Sequence, residues 1–195
     1  GGIGLGGLAL FRSERKEIGH REGFAIVGLG WLVVCLLGAL PYLFAGTFSN
    51  MVNACFESTS GFTTTGATVI EDLEILPKGI LFWRSLSHWL GGMGIILLSM
   101  AILPMLGVGG MQLYRAEVPG PVPDRLKPRI RETAKTLWMV YLLISVLEVV
   151  FLWIGGMSLF DAVCHTFGTM ATGGFSTHNA SISHYGSAYI DGVIT

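Results

Sequence analysis

The sequence predicts an all-α integral membrane protein whose spanning helices alternate with short segments that dip into the membrane and return. Three observations carry this. Of 195 residues, 51% are hydrophobic and 13% charged, with a mean hydropathy of +0.63; soluble domains carry about 25% charged residues. Residues 23–56 and 85–114 contain no Asp, Glu, Lys or Arg, and each run exceeds the roughly 20 residues that cross a bilayer. Between them lies "GFTTTGATVI", residues 61–70, whose consecutive threonines bracketed by glycines are poor helix material. A cleaved secretory signal fits badly, because long apolar stretches recur along the chain.

Charge sets the topology. Ten of the twelve basic residues fall in two blocks, Arg12, Arg15, Lys16 and Arg21, then Arg115, Arg125, Lys127, Arg129, Arg131 and Lys135. Between them "IEDLEILPKG" is acidic through Glu71, Asp72 and Glu74. Basic loops stay in the cytoplasm, which places both blocks inside and the acidic loop outside. The same blocks could contact nucleic acid, but their position beside apolar spans favours topology, and no nucleic-acid partner is expected. Cys35, Cys55 and Cys164 lie in apolar segments without framework spacing and read as reduced packing residues.

Taken in order, residues 1–11 read as the end of an earlier helix, and residues 1–22 close with a basic cytoplasmic segment. The absence of an initiator Met and the abrupt end after "YIDGVIT" suggest a fragment of a larger protein. Residues 23–46 form a span with Pro41 near its outer end, 80–106 a second, and 134–156 a third. Residues 111–133, with "VPGPVPDRLKPRIRET", form a proline-rich cytoplasmic linker. Because both basic blocks share one side, an even number of crossings must separate them, and two spans suffice. Residues 48–69 must therefore enter and leave from outside. Residues 48–62 make a helix of about 22 Å at 1.5 Å per residue, followed by an extended return that lipid tolerates only inside protein or a wet cavity.

A gapless shift of 107 residues pairs Trp31 with Trp138, Val33 with Val140, Leu36 with Leu143 and Leu40 with Leu147. It also pairs Thr59 with Thr166, Gly61 with Gly168, Thr65 with Thr172 and Gly66 with Gly173. The span and the dip thus recur as parallel copies, and glycine-interrupted segments in repeated units point to a binding site. Threonine and glycine in an extended return offer closely spaced carbonyls that can replace a cation's hydration shell. The re-entrant helix would add the partial negative charge of its C-terminus. One loop supplies part of a ring; four would close it. A Thr/Gly-rich loop that merely packs between helices is the plainer reading of one copy.

"FESTSGFTTTGATVI", "WLGGMGIILLSMAILPMLGVGGMQLYRAEVPGP" and "ATGGFSTHNAS" closely resemble the TrkH branch of the TrkH/KtrB potassium transporter family. The resemblance implies four potassium-channel-like repeats of helix, pore helix, filter and helix. This chain would hold the first repeat, residues 23–110, and a truncated second, residues 134–195. Pore helices are then expected at 48–62 and 158–169, and filters at 63–68 and 170–175. The implied potassium-binding positions are Thr64, Thr65, Gly66 and Ala67, with Ala171, Thr172, Gly173 and Gly174. The resemblance implies potassium ligation by the carbonyls of Thr64, Thr65 and Gly66 and of Ala171, Thr172 and Gly173, with K+ placed at Thr64, Thr65, Ala171 and Thr172. The resemblance further implies a multi-pass protein of the bacterial inner membrane, lipid contact, a homodimer and a cytoplasmic TrkA-type nucleotide-binding regulatory subunit. K+ would be the transported ion, with no organic cofactor on this chain.

Other residues admit competing readings. Glu57, in the first pore helix, either braces the filter through hydrogen bonds or concentrates cations; bracing is preferred. Glu148 sits in the third span without an evident partner. Cys164, His165, His178 and His184 suggest a metal but match no standard spacing. Gly91–Gly94 read as small residues that admit close helix packing. Arg84 and His88 read as anchors at the membrane interface. The linker from Arg115 to Lys135 is a plausible docking surface. An intramembrane enzyme using Ser60 or His88, or a structural scaffold, would be the alternative to an ion pathway.

Overall fold

The computed structural model describes residues 20–102 and 126–195. The expected helix end at 1–11, the basic residues before His20, the inner-helix end at 103–106 and most of the linker lie outside the described residues.

Among the described residues the chain is helical. α1 (His20–Gly38) and α2 (Leu40–Phe44) together make one bent span. The bend falls at Ala39, just before Pro41, which has no N–H to continue the helical ladder. α3 (Met51–Phe62) begins where the Asn50 side chain accepts from the Val52 N–H at 2.8 Å, satisfying one of the helix's free donors. α4 (Lys78–Ile102) has 25 residues. α5 (Leu126–Ile154) starts eight residues before the expected 134. Pro128 falls in its first turn, where no intrahelical N–H is lost, so the charged "RIRETAK" winds into the same helix. α6 (Leu159–Met170) opens with Ser158 Oγ accepting from the Asp161 N–H at 3.1 Å. A short 3₁₀ turn (Ser181–Tyr185) leads to α7 (Ala188–Ile194).

Two of these helical stretches, Arg21–Phe44 and Glu132–Ile154, are long and apolar enough to cross a membrane, yet only 17% and 22% of their apolar windows are buried. The core helix of a soluble protein would hide most of such a surface. Here Leu29, Leu32 and Leu37 on α1 and Met139, Leu143 and Val146 on α5 are exposed, as lipid-facing residues are.

α4 is the centre of the packing. It touches α3 on one side and α6 on the other, while α3 leans on α1 and α6 on α5. Polar ties fix these contacts: Ser58 Oγ donates to Cys35 O at 2.7 Å, Trp83 Nε1 to Gly38 O at 3.0 Å, and Trp89 Nε1 to Ser145 Oγ at 3.0 Å. α3 and α6 have 12 residues each, about 18 Å of helix, too short for a hydrocarbon core of about 30 Å. Both end at the middle of α4. A Cβ on Gly91 would collide with the Phe62 carbonyl, and one on Gly92 would lie 3.0 Å from the Ala171 Cα. Gly91 is thirteen residues into α4, about 20 Å along it. Two short helices therefore enter beside the start of α4, stop halfway down, and hand over to extended chain that climbs back.

Candidate functional site

The first returning loop, residues 63–68, starts with a tight exit from α3. Thr63 N–H donates to Thr59 O at 2.9 Å and Thr65 N–H to Ser60 O at 2.9 Å. Thr64 and Gly66 then take positive φ values of 55° and 75°. In plain extended chain successive carbonyls point to opposite sides; left-handed residues at every second position break that alternation and let neighbouring carbonyls share a side. Holding a threonine there costs on the order of 1–3 kcal/mol, a strain that gathers at functional sites. Ser60 Oγ donates to Ala67 O at 2.6 Å and pins the top of the loop to its own helix.

A buried ion pair stands behind this loop. Arg84 Nε donates to Glu57 Oε1 at 2.8 Å, with side chains 1% and 0% exposed. Glu57 also accepts from Thr68 Oγ1 at 2.9 and 3.0 Å and from the Val69 N–H at 3.1 Å. Arg84 Nη2 donates to Thr68 Oγ1 at 3.2 Å, and Nη1 crosses to the second loop, donating to Ser176 O at 3.3 Å. Its guanidinium carbon lies 4.0 Å from the centre of the Phe175 ring, within cation–π range. Glu57 therefore braces, as its sequence position suggested. Arg84 and His88 are not at a membrane interface: they are 1% and 0% exposed, with Arg84 bonded to both loops and His88 packed against the second. Their i, i+4 spacing beside Ser85 and Ser87 was the available signal, since polar residues within a spanning helix face its protein interior.

The second loop has the same form with other side chains. Thr172 and Gly174 have φ values of 53° and 84°, and Gly173 N–H donates to Gly168 O at 2.8 Å. His165 occupies the place of Glu57. Its Nδ1 donates to Asp161 O at 2.8 Å, which leaves Nε2 to accept from Ser176 Oγ at 3.0 Å. Farther out, Asn179 Oδ1 accepts from the Leu73 N–H and Nδ2 donates to Asp72 Oδ1, both at 2.8 Å, joining the two returns outside the braces.

These matches correct the ungapped shift of 107. Caps, left-handed residues and braces of the short helices and loops recur at a shift of 108: Asn50 with Ser158, Thr64 with Thr172, Gly66 with Gly174, Glu57–Thr68 with His165–Ser176. The outer helices recur at 110, since Cys35, Gly38 and Tyr42 are buried like Ser145, Glu148 and Leu152. A slip of three residues is nearly a full turn of 3.6, so apolar still meets apolar on a helix. Gly66 is therefore matched by Gly174, and Thr65 by Gly173. Ala171 falls level with Thr63, and Ala67 with Phe175.

The loops meet. A Cβ on Gly66 would collide with the Gly173 carbonyl oxygen, so only glycine allows this approach. Among the described residues no hydrogen bond reaches the carbonyls of Thr64, Thr65, Gly66, Thr172, Gly173 or Gly174, whereas Ala67 O and Ala171 O accept from Ser60 and Thr172 hydroxyls. Of the remaining candidates, no hydrogen bond joins the Ser60 and His88 side chains, since Ser60 Oγ donates to Ala67 O. His178 and His184 stack 3.8 Å apart in the outer loop, away from the buried Cys164, and the three cysteines are free. Glu148 is buried with Oε1 lacking a hydrogen bond among the described residues.

Lipid-facing spans around paired re-entrant helices and strained returning loops define a re-entrant-loop membrane protein. Known proteins give this class a family. The family model described as TrkH, cation transport protein, matches residues 3–195. The chain is 54% identical over 185 residues to the Trk system potassium uptake protein TrkH of Escherichia coli strain K12, covering 94% of this chain and 38% of that protein. It is 50% identical over 193 residues to TrkH of Halomonas elongata, covering 97% and 40%. The crystal structure of the potassium transporter TrkH from Vibrio parahaemolyticus matches with a TM-score of 0.77 at 44% identity, covering 94% of this chain and 36% of that one. The chain belongs to the TrkH family of cation transport proteins. It spans about two fifths of the length of these relatives.

Proposed function

We propose that this chain supplies two of four walls of a potassium pathway, as part of the translocating subunit of a bacterial uptake system in the inner membrane. One observation carries the reading above the others: two loops, each at the C-terminus of a half-length helix, carry two left-handed residues and a run of carbonyls to which no protein donor is assigned. Such carbonyls can take the place of water around a dehydrated cation, and the partial negative charge at each helix end favours a cation there. The positions matched at a shift of 108 select Thr64, Thr65 and Gly66 with Thr172, Gly173 and Gly174 as the lining backbone. K+ is the cargo. Ala67 and Ala171, whose carbonyls accept from hydroxyls, fall at the ends of the lining stretch.

The relatives' names, all potassium uptake proteins of Trk systems, support K+ as the ion. A non-enzymatic role fits the same kinship. A homodimer and a TrkA-type nucleotide-binding regulatory subunit on the cytoplasmic side follow from the family resemblance, and the basic linker between Arg115 and Lys135 is the proposed docking surface. The test uses the full-length protein in cells lacking other potassium uptake. Gly66→Ser and Thr65→Val are expected to impair growth at low potassium and to reduce rubidium-over-sodium discrimination. Unchanged growth and discrimination in both variants would overturn the reading.

A further inference from the structure

We propose that His88 is a positioning residue that sets how closely the two loops approach, and through that spacing the ion discrimination of the pathway. This rests on the reading of the loops as ion-lining. His88 is fully buried in α4, one turn beyond Arg84. Its ring stacks on Phe175 with centres 3.9 Å apart and planes 16° from parallel. Arg84 lies 4.0 Å from the centre of the same ring. Two groups cannot both occupy one face at that distance, so Phe175 is held between them. The edge of the imidazole, at Nδ1, abuts Gly173 so tightly that no Cβ fits there. On its other side the Gly173 carbonyl abuts Gly66.

A continuous line of contact thus runs from the rigid helix through His88 and Gly173 to Gly66. Neither ring nitrogen forms a hydrogen bond of regular geometry among the described residues, although the Ser60 backbone lies near enough for a weak one. Stacking on Phe175 and the close contact with Gly173 are the main constraints on the ring, and its contribution is its shape. Close-packed interiors transmit such a displacement rather than absorbing it. Removing the ring lets Gly173 retreat from Gly66 and widens the gap between two walls of the pathway, which changes discrimination more than total capacity.

The experiment measures rubidium and sodium uptake, each with KM and Vmax, by the full-length protein in potassium-uptake-deficient cells. His88→Ala is expected to lower the rubidium-over-sodium preference about fivefold or more, with the protein still present in the membrane. His88→Phe keeps a flat ring against Phe175 and is expected to restore most of the preference. Gly173→Ala should also lower it, and His88→Ala with Gly173→Ala should recover part, because the added methyl fills the vacated space. A His88→Ala protein with unchanged preference and only a lower Vmax would overturn the proposal. If that variant does not accumulate, His88→Phe and His88→Leu decide the matter: the proposal expects a higher preference for Phe, and equal preferences overturn it. Failure here leaves the effect of Gly66→Ser intact, whereas failure of the ion-pathway reading removes that effect too.

Discussion

Arg84 and Glu57 form a buried ion pair at 2.8 Å whose remaining hydrogen bonds reach both returning loops, Thr68 and Val69 on one and Ser176 on the other. One inner helix thus holds two loops in a fixed relation. Removing one member of a buried pair strands the other charge, at a cost of about 3–5 kcal/mol. Arg84→Ala and Glu57→Ala are each expected to lower the thermal stability of the detergent-solubilised full-length protein strongly. The double variant should fall well short of the summed losses, since no charge is then left unpaired. Light-scattering melts of the four proteins check this; additive losses would contradict the pairing.

The register at 108 pairs Gly66 with Gly174, yet their surroundings differ. Gly66 has a φ of 75° and the Gly173 carbonyl against it, while Gly174 has a φ of 84° and open space where a Cβ would go. Alanine in the left-handed region costs about 1–2 kcal/mol by itself. Gly174→Ala should therefore weaken rubidium uptake by the full-length protein only partly, whereas Gly66→Ala, which adds a backbone collision, should abolish it. Equal effects would argue against the contact between the loops.

Gly91 on α4 faces the Phe62 carbonyl without room for a methyl. Forcing one in pushes the end of α3 away from the middle of α4, an overpacking cost of about 1–3 kcal/mol. Gly91→Ala is expected to lower the melting temperature in detergent, and Gly79→Ala, at an open position, is expected to leave it within error.

Asp72 and Asn179 give a pH dependence with a definite sign. Donation from Asn179 first, and from the Glu74 N–H second, holds the Asp72 carboxyl below its ordinary value. A folded-state pKa that is depressed contributes stability above the ordinary carboxylate value of about 3.9 and loses it as pH falls through the lower folded value. The clamp should therefore stay closed throughout the neutral range and open only in acid. Hydrogen-exchange protection of the Leu73 amide, corrected for intrinsic rates, should hold from neutral pH down to that point. Asn179→Ala should remove the protection at every pH.

Much of this architecture was legible in the residues. The apolar run from residue 23 located the first span, and "GFTTTGATVI" marked where helix gives way to a loop with left-handed residues. The register was not legible: on the outer helices a slip of three keeps the same face, and in the loops the adjacent Gly173 and Gly174 let a slip of one still pair Gly66 with a glycine. Nor were the roles of Arg84 and His88. Their partners Ser176 and Phe175 lie some ninety residues away, and only the packing of α6 against α4 brings them together. His165 was hidden for a related reason, since an imidazole in one half does the work of a carboxylate in the other.

The most direct test of the central claim is rubidium uptake by the full-length protein carrying Gly66→Ser, measured with sodium as competitor in cells lacking other potassium uptake. If residues 63–68 line the pathway, uptake falls sharply and the residual flux loses its preference for rubidium over sodium. Uptake and preference equal to those of the unaltered protein would show that these loops do not touch the ion.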